Sequence, residues 1–335
     1  MPPSEGRSVK LTQALAPIAL AGTVAGGVLA TPVAQATHVD VALLSGTAFF
    51  VGPTTLSTPS PTFAQTAADL FLQPLGFDGG DDLDTCVVGA AVCDAPLRIL
   101  STPALIQQDH SSFVGAAEIV RAVHAELAAN PDAYDAENPL WIFGWSQGAT
   151  AGSIAMAQLA HDGVDPQALH FVFIGNPVGA DGISPGAGGD GPLPDFLGTS
   201  LLSGVQTPND LFATTSYTIP GDPVADNTST SPLGLLYEHM MYLGLTPEQV
   251  ANHTATADGL ITDIDISSDF DQFGAWLNAW SHGLVDSSWW EGIFYSVVAS
   301  FYSAFGNIED FFGDWLGIDW GGVEQTLDFW FPVDA

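Results

Sequence analysis

The sequence has very few basic side chains and very few cysteines. Of its 335 residues only 4 are Lys or Arg, against 38 Asp or Glu, so the formal net charge is −34. Proteins bind nucleic acids and anionic membranes through surfaces rich in Lys and Arg. This charge therefore excludes a protein that binds either of them through a basic surface. The 2 cysteines are too few for a disulfide scaffold or a four-thiolate zinc site. At this length the chain can nevertheless bury a substantial core.

The N-terminal segment has the pattern of a secretory signal peptide. Arg7 and Lys10 precede an uncharged apolar run at residues 14–30, and small residues at Ala34 and Ala36 form a cleavage site. An uncleaved membrane anchor is the alternative, although a run rich in Ala, Gly, Val and Thr is weak for a stable span. We therefore expect residues 1–36 to be removed from a secreted or cell-envelope protein.

The two cysteines lie close together in a loop-like stretch. Cys86 and Cys93 are separated by seven positions, among Asp, Gly and Pro residues. In an oxidising compartment such a pair is expected to form a local disulfide. A pair of free thiols is the alternative.

Apolar runs and helical periodicities alternate along the chain and predict an α/β fold. Strands are predicted at residues 41–44, 140–143, 169–174 and 214–219, and helices at residues 113–127 and 149–160. Ser111 or Ser112 is expected to cap the helix at residues 113–127. This alternation is typical of a mostly parallel sheet with helices on both faces, in which chemistry takes place at the carboxyl ends of the strands.

One pentapeptide matches the G-x-S-x-G pattern of a serine nucleophile and has the surroundings that this chemistry needs. It runs from Gly144 to Gly148, with Ser146 at its centre. A buried strand is predicted before it and a helix after it, and Gln147 can donate its backbone N–H to an oxyanion. A second match, centred on Ser184, has no strand before it and a proline after it, which indicates a loop. We therefore expect Ser146 to be the nucleophile.

A serine nucleophile needs a histidine base and a carboxylate that orients the histidine. In α/β-hydrolase folds the acid and then the histidine follow the serine along the chain. Asp222 stands in a turn just after a predicted strand, and Asp226 is its rival. His239 follows in apolar surroundings, and its rivals are His253 and His282. We expect Asp222 and His239 to complete the triad.

The second oxyanion donor is expected in the loop after an early strand. Gly46 and Thr47 follow the apolar run at residues 41–44 and fit this position. An ordinary turn is the alternative. The sequence has no pair of histidines at helical spacing and no glycine-rich phosphate loop after a strand, so we expect neither a metal nor another cofactor.

Four segments of the sequence together resemble the PE-PPE domain. They are the residues 43–47 (LLSGT), 143–149 (FGWSQGA), 173–177 (FIGNP) and 221–226 (GDPVAD). This is an α/β-hydrolase domain of mycobacteria and their relatives, similar to cutinase-like serine esterases, and the resemblance covers residues 40–260, approximately. It implies a nucleophile at Ser146, an acid at Asp222 and a base at His239. It also implies hydrolysis or transfer of acyl esters, with lipids of the cell envelope as substrates.

The composition changes after residue 268. Seven of the nine Trp lie between Trp276 and Trp330, among many Phe, and apolar residues from Phe294 to Trp315 follow a helical spacing. We therefore expect a hydrolase domain at residues 37–268 and an aromatic, acidic helical extension at residues 269–335. The extension either packs on the core or forms a lid that contacts a neutral lipid surface.

Taken together, the sequence predicts an exported serine esterase or lipase that cleaves acyl or lipid esters through an acyl-enzyme. An acyltransferase that moves acyl chains between cell-envelope glycolipids would share every catalytic residue. A non-catalytic envelope protein that keeps the fold to bind lipid is the alternative from another class.

Overall fold

The structure is a computed structural model that describes residues 46–80, 83–89, 93–184, 202, 204–229, 234–235 and 237–281. The predicted signal peptide, His282 and most of the predicted aromatic extension lie outside these residues. The strands are β1 (Ala48–Val51), β2 (Thr85–Val87), β3 (Leu97–Ile99), β4 (Leu140–Trp145), β5 (Leu169–Ile174), β6 (Ala213–Thr218), β7 (His253–Asp258) and β8 (Ile261–Ile266). The α-helices are α1 (Pro61–Ala67), α2 (Gln108–Ala129), α3 (Gln147–His161), α4 (Pro247–Ala251) and α5 (Gln272–Ser281).

The described strands form one eight-stranded sheet in the order β2-β3-β1-β4-β5-β6-β8-β7. All neighbouring strands run parallel except β7 and β8, which are antiparallel. Parallel strands need crossover connections: α2 lies in the connection from β3 to β4, and α3 in the connection from β4 to its neighbour β5. The mostly parallel sheet confirms the predicted α/β fold class.

Both faces of the sheet are covered. Along β4, Trp141 and Phe143 point into one apolar cluster, which α1 and the segments that follow it close. Leu140 and Ile142 point into a second cluster, which α2 and α3 close. This alternation follows from the strand period of two, and it explains why β4 is apolar at nearly every position.

Most predicted elements agree with the structure, but their ends differ. The helix expected at 113–127 begins earlier, at Gln108, and extends to Ala129. Ser111 and Ser112 are therefore buried in its first turns and do not cap it. The residue before the helix, Gln107, makes no side-chain capping hydrogen bond.

The first described strand of the sheet follows the segment for which the sequence predicted a strand. Residues 41–44 lie outside the described residues, and the described strand that pairs with β3 and β4 is β1, at Ala48–Val51. The segment that leaves the carboxyl end of β1 is therefore Gly52 and the residues after it. The position of β1 decides which backbone groups lie at the carboxyl end of the sheet.

The described part of the C-terminal region contains one helix, α5, which packs against the short helical turn Tyr242–Gly244. A Cβ on Gly244 would lie 1.9 Å from the Ala275 carbonyl oxygen, so glycine allows the two backbones to approach closely. On its other side α5 exposes Phe273 and Leu277. Among the described residues, no helix combines the length and apolar character that a membrane crossing requires.

Candidate active site

Ser146 occupies a sharp turn between β4 and α3. β4 ends at Trp145 and α3 begins at Gln147, so one residue makes the whole change of direction. Ser146 has φ 55° and ψ −115°, a left-handed conformation that is strained for a residue with a Cβ. This is the arrangement of a nucleophile elbow, which presents the serine at the carboxyl end of a parallel strand.

The elbow depends on close backbone contacts at the two glycines of the pentapeptide. A Cβ on Gly144 would lie 2.6 Å from the Gly148 carbonyl oxygen, a distance that real Cβ atoms do not reach. A Cβ on Gly148 would lie 2.6 Å from the carbonyl oxygen of Val51 at the end of β1. Both positions therefore require glycine, and the elbow is pressed against the end of β1.

Asp222 and His239 form a buried hydrogen-bonded pair. Asp222 lies in the turn after β6 and is fully buried, and His239 lies in the 3₁₀ turn Glu238–Met240. His239 Nδ1 is 3.0 Å from Asp222 Oδ1 and 2.9 Å from Oδ2. An ionised carboxylate only accepts hydrogen bonds, so Nδ1 carries the proton and Nε2 is left as the basic nitrogen.

A tyrosine that the sequence analysis did not single out supports this carboxylate. The Tyr242 hydroxyl donates to Asp222 Oδ2 at 2.8 Å and accepts the Ile219 N–H at 3.0 Å. Asp222 Oδ1 also accepts the Val224 N–H at 2.9 Å. Burial and the charge of Asp222 raise the pKa of Tyr242 well above its usual value, so the phenol stays a donor. The signal in the sequence was its position three residues after His239, one helical turn away.

The end of β5 brings Ser146 and His239 to the same place. The Ser146 N–H donates to the Ile174 carbonyl at 3.1 Å. A Cβ on the next residue, Gly175, would lie 2.7 Å from His239 Cε1, and the Trp145 ring centroid is 5.9 Å from that of His239. Within the described residues no hydrogen bond joins the Ser146 hydroxyl to His239. Such bonds are often long until substrate is bound.

The rival residues have other surroundings. Asp226 accepts hydrogen bonds from the Thr228 hydroxyl at 2.6 Å and from the Thr228 N–H at 3.0 Å, and so stabilises the turn in which it lies. Burial acts to raise the pKa of Asp226, but the hydrogen bonds that it accepts outweigh burial and lower this pKa overall. His253 begins the exposed edge strand β7, and its ring contacts the Val250 carbonyl at 2.7 Å. His282 lies outside the described residues, so the structure offers no comparison for it.

Of the three predicted oxyanion donors, the structure brings only Gln147 to the elbow. Gln147 is the first residue of α3, so its N–H has no intrahelical acceptor. Gly46 donates its N–H to the Asp78 carbonyl at 2.5 Å, and the Thr47 carbonyl accepts from Trp141 at 3.0 Å. Both residues precede β1 and lie beside the start of β4, at the opposite end of the strand from Ser146. They are therefore not in a position to bind the oxyanion.

The residues after β1 occupy the place that was predicted for Gly46 and Thr47. Thr54 follows Gly52 and Pro53, and its hydroxyl accepts from Gln108 Nε2 at 3.1 Å, while Gln108 Oε1 accepts from Gln147 Nε2 at 3.0 Å. No acceptor for the Thr54 N–H lies among the described residues. The signal that the sequence analysis missed was the Gly-Pro-Thr turn after the apolar run at Ala48–Val51.

The cysteine pair, a metal site and the second G-x-S-x-G serine were the other groups considered from the sequence. Cys86, within strand β2, forms a disulfide with Cys93, and their Cα atoms are 5.4 Å apart. In the described part of the chain, no three His, Cys, Asp or Glu side chains are arranged to hold a metal ion. Ser184 lies in a loop, where its N–H donates to the Pro177 carbonyl at 2.8 Å.

Comparison with known proteins places this site in a family. The PE-PPE domain model matches residues 94–258, a range that includes Ser146, Asp222 and His239. The residues before 94, which the resemblance also took in, lie outside the match.

Two curated relatives come from Mycobacterium tuberculosis (strain ATCC 25618 / H37Rv). The PPE family protein PPE28 is 34% identical over 153 residues, which is 42% of this chain and 22% of that protein. Esterase PE16 is 34% identical over 162 residues, which is 43% of this chain and 28% of that protein. The chain thus matches about a quarter of the length of each relative.

Among solved structures, a cutinase-like protein from Cryptococcus sp. is 18% identical, with a TM-score of 0.35 over 70% of this chain and 93% of that chain. The esterase domain of a Rhodothermus marinus protein is 15% identical, with a TM-score of 0.33 over 73% of this chain and 88% of that chain. TM-scores this low add no evidence about the fold. The sheet topology and the elbow at Ser146 themselves give an α/β-hydrolase-like fold. On the match at residues 94–258, this part of the chain, which holds Ser146, Asp222 and His239, is a PE-PPE domain.

Proposed function

We propose that the protein is a serine hydrolase that cleaves carboxylic esters. One observation carries this proposal: a strained serine at a strand–helix elbow lies beside a buried Asp222–His239 pair, at one end of a parallel sheet. The name of the relative Esterase PE16 agrees with this chemistry. In the proposed triad Ser146 is the nucleophile, His239 the base and Asp222 the group that orients His239.

In the first half-reaction, Ser146 Oγ attacks the carbonyl carbon of the ester while His239 Nε2 takes the hydroxyl proton. The carbonyl oxygen becomes an oxyanion, and the backbone N–H groups of Gln147 and Thr54 stabilise it. The bond to the leaving alkoxide then breaks, and His239 returns its proton to that oxygen. An alcohol leaves, and the acyl group stays on Ser146 as an ester.

In the second half-reaction, a water molecule attacks the acyl carbon and gives one proton to His239. The tetrahedral oxyanion collapses, Ser146 Oγ leaves, and His239 returns the proton to it. The products are a carboxylic acid and the free serine. If an alcohol replaces water in this step, the product is a new ester, so acyl transfer uses the same residues.

Two exposed leucines support an apolar acyl group as the substrate. Leu105 is 45% exposed, and its carbonyl accepts from the Gln147 side chain at 2.7 Å. Leu235 is 52% exposed and follows Gly234, whose carbonyl accepts the His239 N–H at 2.9 Å. An exposed apolar residue thus lies next to a backbone contact of Gln147 and another next to a backbone contact of His239. The net charge of −34 favours neutral substrates over anionic ones.

The proposed location is outside the cytoplasm, in the secreted fraction or the cell envelope. The Cys86–Cys93 disulfide supports it, because such bonds persist in oxidising compartments. The signal-peptide pattern of residues 1–36 supports it independently. A neutral lipid surface is the contact that we propose for the aromatic C-terminal region.

The test is hydrolysis of p-nitrophenyl esters with acyl chains of two to sixteen carbons. We expect Ser146→Ala to lose at least about a thousand-fold in kcat, because a triad serine is removed. Ser184→Ala is the matched control, since this second G-x-S-x-G serine lies in a loop, and it should retain wild-type activity. Equal activity in wild type and Ser146→Ala would refute the proposal. New esters formed with an added alcohol would identify an acyltransferase.

A further inference from the structure

The two sides of the proposed oxyanion site are joined by the side chain of one residue, Gln108. This residue begins α2 and lies between the loop after β1 and the start of α3. Its Nε2 donates to the Thr54 hydroxyl at 3.1 Å, and its Oε1 accepts from Gln147 Nε2 at 3.0 Å. Thr54 and Gln147 are the two residues whose backbone N–H groups face the oxyanion in the proposed mechanism. One amide thus contacts both.

The Gln147 side chain has no remaining freedom in this network. Its Nε2 also donates to the Leu105 carbonyl at 2.7 Å, and its Oε1 accepts from the Ser111 hydroxyl at 2.8 Å. The Ser111 hydroxyl in turn accepts the Leu105 N–H at 2.9 Å. Gln147 and Ser111 are buried, so each of these bonds is made away from bulk water. The start of α2 therefore holds the residue after the nucleophile from two directions.

Backbone strain is concentrated in the same place. Within the described residues, the non-glycine residues with positive φ are Thr55, Ala104 and Ser146. The Thr55 N–H donates to the Ala104 carbonyl at 2.6 Å, so two of the three strained residues contact each other directly. Strained conformations persist only where the surroundings fix them, and they are typical of functional sites. The loops that precede α2 and follow β1 are thus held against each other next to the elbow.

We propose that Gln108 is a positioning residue that sets the separation of the two oxyanion donors. The proposal rests on the proposed function, and it adds a residue that does not itself touch the substrate. An amide suits the role because it donates through Nε2 and accepts through Oε1 at the same time. The separation matters because an oxyanion gains most when both donors are about 2.7–3.1 Å from the position that it will occupy.

The test is the kinetics of Gln108→Ala on a p-nitrophenyl ester, together with its affinity for an alkyl trifluoromethyl ketone. Addition of Ser146 Oγ to this ketone gives a tetrahedral oxyanion that needs the same two N–H groups. We expect kcat to fall by about 10- to 100-fold with KM within about threefold of wild type. Affinity for the ketone should fall by the same factor as kcat/KM. A change in packing alone would not produce this parallel.

Gln107→Ala is the matched control, because Gln107 is the neighbouring glutamine and makes no side-chain capping bond. It should behave as wild type. If Gln108→Ala does not fold, Gln108→Leu, which keeps the length and apolar volume of the side chain, replaces it in both measurements.

Three results would overturn the inference, and they can be told apart. If a Gln108 variant keeps kcat within about twofold of wild type, the positioning role of Gln108 is wrong, but the proposed function is not affected. The same holds if kcat falls without a loss of affinity for the ketone. A wild-type chain as inert as Ser146→Ala on every ester overturns the proposed function and this inference with it.

Discussion

Backbone strain at Ser146 predicts an unusual order of stability for two substitutions at this position. Ser146→Ala and Ser146→Gly both remove the hydroxyl, and they differ only in the Cβ. Alanine keeps the Cβ in the left-handed conformation of φ 55° and ψ −115°, whereas glycine adopts it without steric conflict. The comparison therefore isolates the free energy that is stored in the elbow.

The size of the effect follows from two opposing terms. A residue in such a conformation is strained by about 1–3 kcal/mol. Glycine, on the other hand, gains more conformational freedom than alanine in the unfolded chain, which lowers stability by about 0.5–1 kcal/mol. We expect Ser146→Gly to exceed Ser146→Ala by about 1 kcal/mol in free energy of unfolding. For a domain of this size that is about 2–4 °C in Tm.

Urea unfolding followed by tryptophan fluorescence and by circular dichroism measures the difference. Ser153 provides the control, because it lies inside α3 with its hydroxyl bonded to the Ala149 carbonyl and to Thr207. There the helical backbone favours alanine, so Ser153→Gly should be less stable than Ser153→Ala by about 1 kcal/mol. If glycine is also the less stable residue at 146, the turn holds no strain and the reasoning is wrong.

Three further predictions follow from groups that are buried or partly buried. Tyr242→Phe removes the hydroxyl that donates to Asp222 and should lower kcat by about tenfold, measured as ester hydrolysis, whereas Tyr217→Phe, at another buried tyrosine, should not. Burial lowers the pKa of His170 to about 4. Between about pH 6.5 and pH 4 the unfolded chain therefore binds more protons at this residue than the folded protein does, so the folded state loses stability as the pH falls through this range. Relative to His170→Gln, the free energy of unfolding of wild type should fall by about 3 kcal/mol over that range in urea titrations. Burial and neighbouring aspartates raise the pKa of Asp263, so Asp263→Asn should raise the Tm at pH 7 in calorimetry, and an unchanged or lower Tm would contradict this.

The elbow could be predicted from sequence because its requirements are local. A buried strand, a glycine on each side of Ser146 and a helix start all lie within a few residues of one another. The structure shows why the glycines are needed, since a Cβ at Gly144 or Gly148 would overlap with backbone. The choice of Asp222 was similarly local, because it follows directly on the end of a strand.

The loop proposed to supply the second oxyanion donor could not be predicted in the same way. Residues 41–44 and Ala48–Val51 are both short apolar runs, and nothing within Ala48–Val51 shows that it pairs in the sheet. Its pairing with β3 and β4 depends on partners that are distant in sequence. A shift of a few residues along the chain therefore moved the predicted donors, Gly46 and Thr47, to the wrong end of the strand.

Side-chain partners across the fold were also hidden from the sequence. Ser111 has the appearance of a helix cap, since serine just before an amphipathic run favours that position. In the structure its hydroxyl instead bonds to Gln147, 36 positions further along the chain. Tyr242 and Gln108 were missed for the same reason. Their importance depends on which residues the sheet brings next to them.

The position of β1 in the middle of the sheet has a consequence for how the chain folds. β1 is close to the start of the described chain, yet Ala48 pairs with Leu97 on one side and with Trp141 on the other. Contacts between such distant segments form slowly, because a long loop must close before they contribute any stability. The elbow, the Thr54 loop and the Asp222–His239 pair each belong to a different segment of this assembly. During refolding, helical structure is therefore expected to return before the site does, and recovery of the assembled site marks completion of the sheet.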